Sequence, residues 1–74
     1  MILNLYLVER PDRPGWDEFD SFVVAAATVE EARQTRPGSY GGWARDIATL
    51  KVTLVGVAVA DVKPGIVLAS FNAG

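Results

Sequence analysis

The side chains best equipped for chemistry gather in one stretch. Residues 9–21 hold Asp12, Asp17, Glu18 and Asp20 beside Arg10, Arg13 and Trp16, and five of the nine acidic residues fall there. Arg10 and Arg13 suit phosphate or carboxylate, because a guanidinium presents its donors as a planar fork. Two roles are open to Trp16. Its indole can stack on a base or anchor a partner protein, or it can plug the core beneath a solvated connection. The carboxylates of Asp17, Glu18 and Asp20 lack the alternating acidic spacing of a calcium loop, and on a strand neighbours point to opposite faces. General acid–base catalysis by the same groups finds no matching nucleophile.

A second stretch, residues 36–43, reads Arg-Pro-Gly-Ser-Tyr-Gly-Gly-Trp. Its glycines follow a helical segment, whereas phosphate loops place them between a strand and a helix N-terminus. Tyr40 and Trp43 can close over a ligand as a lid, with Arg45 as a further phosphate contact. The competing reading is a surface connection that Trp43 anchors in the core.

Composition narrows the chemistry further. The 74 residues include neither cysteine nor histidine. That removes thiolate and imidazole nucleophiles, bases and metal ligands, together with any disulfide framework. No catalytic residue, metal or cofactor is expected. The net charge is −2 and the seven basic residues are dispersed, which argues against direct nucleic-acid binding. No apolar run approaches the roughly 20 residues of a membrane span, and the start lacks the basic residues and cleavage site of a secretory signal. The expectation is a soluble intracellular protein of one domain, residues 1–74.

The elements that must position these side chains follow from patterning. Residues 2–8 read as a first strand, with Leu3, Leu5 and Leu7 in phase. Pro14-Gly15 supplies a turn. Residues 21–27 read as a second strand. Thr28-Val-Glu-Glu31 is a capping box, in which the Glu31 side chain reaches back to the Thr28 amide. The helix it opens should run to about residue 35 and stop before Pro37. Residues 43–49 can hold a helical turn, and residues 50–59 and 66–71 complete the strands. The order is ββαββ, a small α+β fold with one mainly antiparallel four-stranded sheet and one short helix on one face. Two turns of helix cover only part of such a sheet. The opposite face would then expose residues such as Tyr6, Val8, Val55 and Val57. Self-association sheet to sheet would cover them, as would long loops folded across, with Trp16 or Trp43 as lids.

The chain also resembles a class of very short bacteriophage-encoded proteins. The likeness lies in Leu5-Tyr-Leu-Val-Glu-Arg10, Trp16-Asp-Glu-Phe-Asp-Ser-Phe-Val-Val-Ala-Ala26 and Val29-Glu-Glu-Ala-Arg33. It continues in Lys51-Val-Thr-Leu-Val-Gly56 and Gly65-Ile-Val-Leu-Ala-Ser-Phe-Asn-Ala-Gly74, and is weak over residues 37–48. Members are mostly of unknown function, so the resemblance implies a genomic setting and no catalytic residue. Small phage accessory proteins without catalytic equipment often act against bacterial defence, and that analogy of setting and size gives the expectation of an anti-defence protein in the cytoplasm of a bacterial host. The first expectation is a homo-oligomeric, non-enzymatic inhibitor that binds a host defence protein, as anti-CRISPR proteins do. The second is an oligomeric sponge for a nucleotide immune signal, and the third a virion or morphogenesis component. Arg10, Arg13, Trp16, Asp17, Glu18, Asp20, Tyr40, Trp43 and Arg45 are the candidate contact residues.

Overall fold

The computed structural model describes residues 2–12, 15–38, 42–44 and 46–72. Strand β1 (Asn4–Glu9) is followed by β2 (Glu18–Ala26), helix α1 (Val29–Gln34), a 3-10 turn (Ile47–Thr49), β3 (Lys51–Val57) and β4 (Gly65–Asn72). The strands form one antiparallel sheet in the order β3-β1-β2-β4. Consecutive β1 and β2 pair directly, while β3 and β4 occupy opposite edges and are joined by a connection that crosses the sheet. The expected α+β fold, with its ββαββ order, is the observed one.

Register decides which residues reach the core. Tyr6 faces Val24 and Leu54, and Val8 faces Phe22 and Val52. These lie on the helix side, where Tyr6, Val8, Phe22, Val24, Ala26, Ala32, Trp43 and Leu50 form the main cluster. Tyr6 and Val8 are therefore 5% and 0% exposed, which corrects the expectation that they face water. β1 is apolar on both faces, so alternation alone could not choose between Tyr6/Val8 and Leu5/Leu7; the helix and the segment around Trp43 make the choice. Val55 and Val57 are exposed, but for a different reason from the one expected. They sit on an edge strand, and a shift in the β1–β3 pairing leaves Val55 without a partner residue.

The other face is covered in part by the β3–β4 connection. Leu3, Ala25 and Ala58 form a second buried cluster with Leu5, Ala27 and Val62 against it, and the Ala58 amide donates to the Leu3 carbonyl at 2.8 Å. A loop thus folds over the sheet, although neither tryptophan serves as its lid there.

The helix is set by its ends. Thr28 Oγ1 accepts from the Glu31 amide at 3.2 Å, and Glu31 Oε2 accepts from the Ala27 amide, one residue before the position the capping box predicts. Thr35 takes extended geometry and closes the helix ahead of Pro37. Arg33 Nη1 donates to the carbonyls of Ile47 and Leu50, at 3.1 and 2.7 Å, which ties α1 to the entry of β3. β2 begins at Glu18, three residues before the sequence suggests. Phe19 pairs with Phe71, and an irregularity at Asp20 lets the acidic segment ride on the strand.

Candidate functional site

The β1–β2 connection and the segment leading into the 3-10 turn are stitched together. The Phe19 amide donates to the Gly42 carbonyl at 2.9 Å, and the Gly42 amide donates to the Asp17 carbonyl at 3.0 Å. Glu18 and Gly42 form an isolated parallel bridge so close that a Cβ at Gly42 would run into the Glu18 side chain at Oε2 and Cγ. Only glycine fits there without displacing Glu18.

Arg10 is the post of this arrangement. Its side chain is 6% exposed. Nε and Nη2 donate to the two carboxylate oxygens of Asp12 at 2.9 and 2.8 Å, and Nη1 donates to the Phe19 carbonyl at 3.2 Å. Glu18 Oε1 lies 3.8 Å from Nη1 and also accepts from the Gly15 amide. The guanidinium carbon sits 5.9 Å from the centre of the Trp43 ring, at the outer range of a cation–π contact. Arg10 is thereby already neutralised by its own loop, and its pKa is raised by the hydrogen bonds it donates to Asp12, against the opposing cost of burial. The same hydrogen bonds hold the Asp12 carboxyl below its usual range.

A carboxyl with a depressed pKa stabilises the fold above its ordinary value of 3.8, and that contribution is lost as pH falls through the folded value. Asp12→Asn should therefore flatten the acid limb of the stability curve below about pH 4. Urea denaturation at stepped pH checks this: the wild-type and variant midpoints should converge as the medium is acidified.

Trp43 is 8% exposed and packs on Phe22 with ring centres 5.2 Å apart. It is an anchor of the core, as the structural reading of its loop expected. Its Nε1 is buried, with no hydrogen-bond partner among the described residues. Arg10, Asp12, Glu18, Trp43, Asp46 and Thr49 line a shallow cleft of about 380 Å³. Asp46 is partly committed, since its Oδ1 accepts from the Ala48 amide at 3.0 Å.

Trp16 is the contrary case. It is 76% exposed, in the turn between Gly15 and Glu18, and so does not plug the core. Asp17 beside it is exposed and holds a left-handed backbone, φ 57°, which aspartate tolerates better than most residues. Asp20 turns away from both, accepting hydroxyls from Ser21 at 2.9 Å and Ser70 at 3.1 Å.

No protein-family model matches this chain, and no curated protein or solved structure is significantly similar to it. The site is read from its own geometry. That geometry brings Arg10, Glu18 and Trp43 together, with Trp16 and Asp17 presented outward from the same loop. Arg13, Tyr40 and Arg45 lie outside the described residues. Among the described residues no helix is long and apolar enough to cross a membrane. Sequence reasoning missed Gly42, Asp46 and Thr49, whose roles depend on contacts between segments far apart in the chain. The clustered glycines of residues 38–42 were the one available signal, and they pointed to a loop without naming its neighbour.

Proposed function

We propose that this chain is a non-enzymatic, phage-type accessory protein that inhibits a bacterial defence protein by binding it, with the Trp16 turn as the principal contact. The observation that carries this reading is a large aromatic residue 76% exposed on a turn whose C-terminal side is hydrogen-bonded to Gly42. Asp17, Glu18 and Phe19 are each bonded to the rest of the fold, so the indole is displayed from a prepared surface. Exposed aromatics with low ordering cost are typical energetic centres of protein interfaces.

The nucleotide-sponge alternative has less support. It relies on Arg10, Arg13 and Arg45; Arg10 already grips Asp12 and donates to the Phe19 carbonyl, with Glu18 3.8 Å away, and the other two lie outside the described residues. Calorimetry with cyclic nucleotides and ADP-ribose derivatives should give no heat; a stoichiometric exotherm would restore it. For the inhibitor reading, tagged wild-type protein should retain a defence component from lysate of a defence-carrying strain. Trp16→Ala should lose it, by the 2 kcal/mol or more (about thirtyfold in affinity) of an interface hot spot, while its melting temperature stays put. Undiminished capture by Trp16→Ala would refute the assignment.

A further inference from the structure

Each outer strand of the sheet carries an unpaired backbone edge, and such edges recruit other strands unless charge, proline or a bulge blunts them. β3 is blunted. Lys51 opens it, and the pairing shift leaves Val55 protruding in mid-strand. The β2–β4 pairing shifts twice: Val67 falls between the Ile66–Val24 and Leu68–Val23 pairs near the start of β4, and the extra residue opposite Ser70 and Phe71, Asp20, belongs to β2. Within β4, residues 68–72 continue with no bulge of their own, no proline and no charge.

We infer that residues 68–72 of β4 pair antiparallel with the same residues of a second copy about a two-fold axis at Ser70, joining two sheets into one of eight strands. The segment is self-complementary in that register. Phe71 faces Ala69 of the second copy on the helix side, large against small, and Leu68 lies on the other face. Phe71 packs edge-on against its own Phe19, with ring centres 4.8 Å apart, yet is still 41% exposed. Antiparallel pairing brings the two Phe71 rings diagonally across the axis, extending that contact into a row of four aromatics. Leu68, 70% exposed, gains cover on the opposite face.

The absence of charge within residues 68–72 permits pairing with a copy of the same chain. Any residue at a two-fold axis meets itself, so a charged one would be repelled. Ser70 is neutral, and its hydroxyl already donates to Asp20 within its own chain. The pairing is isologous and uses up both β4 edges, so it closes at two copies, with the blunted β3 strands outermost. It does not involve the Trp16 turn. A contact of five residues per strand belongs to the small, reversible class of interfaces, so the dimer forms with rising concentration.

The absence of cysteine makes the test clean. Sedimentation velocity should show the 7.9 kDa monomer converting to dimer from low to high micromolar concentration. Under mild oxidation at the upper concentration, Ser70→Cys should give roughly tenfold more covalent dimer than Val55→Cys, because thiols come within disulfide reach only at the axis. Both positions are exposed in the monomer, and both variants should keep the wild-type circular dichroism. Should Ser70→Cys fail to fold, Leu68→Lys decides the matter by abolishing the dimer. Monomer at every concentration overturns the proposal. So does equal cross-linking by the two cysteine variants, or a dimer that survives Leu68→Lys.

Discussion

Trp43→Ala should remove a large part of the protein's folding stability. The ring is nearly inaccessible, packs on Phe22 and lies beside the Arg10 guanidinium. Removing a buried aromatic costs about 3–5 kcal/mol, from lost transfer energy and the cavity left behind. A domain of this length has roughly 4–11 kcal/mol in total, taking about 0.05–0.15 kcal/mol per residue. In a chain this small each kcal/mol moves the midpoint by about 4–8 °C, so the melt should fall by at least about 12 °C. Trp43→Phe is the informative contrast. It keeps an aromatic ring against Phe22 and deletes the one buried donor that has no partner among the described residues. The unsatisfied N–H is a cost to the folded state, and its removal offsets part of the lost area. The net change should stay within about 1.5 kcal/mol. Equal losses from Ala and Phe would mean that the indole nitrogen has a stabilising role.

The second large effect is at Arg10. Replacing it with alanine removes the bidentate grip on Asp12, the bond to the Phe19 carbonyl and the cover over Trp43. The Glu18 carboxylate loses its counter-charge at the same time. Charge-assisted hydrogen bonds from a nearly buried group contribute about 1.5–3 kcal/mol, so a loss of about 2–4 kcal/mol is expected once packing of the aliphatic stem is included. Arg10→Lys should recover less than half of it, since an ammonium cannot span both oxygens of Asp12 while reaching Phe19. Chemical denaturation of the two variants measures both. Full rescue by lysine would show that charge alone matters and that the fork geometry does not.

These two residues also mark the limits of what could be read from the sequence. The strand and helix order was legible because its signals are local: turn residues, a capping box, a proline stop and alternating apolar runs. The acidic-aromatic loop was legible as a place, and Trp16 was legible as one of two alternatives. What chose between them was tertiary. Backbone bonds tie Gly42 to Asp17 and Phe19, and its neighbour Trp43 packs on Phe22. With that position filled, Trp16 is left outside. Arg10 likewise read as a free phosphate contact because Asp12 stood only two residues away with nothing to fix their relative geometry. The wrong face was assigned to Tyr6 and Val8 because β1 is apolar on both sides, and pairing register is a property of the whole sheet.

The claim on which the functional account turns is that Trp16 is displayed for a partner and not merely tolerated at the surface. Efficiency of plating tests it in the setting where the protein would act. Defence-carrying bacteria expressing the wild-type chain should become permissive to a phage they otherwise restrict. The same strains expressing Trp16→Ala, at equal abundance and with an unchanged melt, should restrict it as fully as cells without the protein. Equal plating on the wild-type and Trp16→Ala strains would contradict the account.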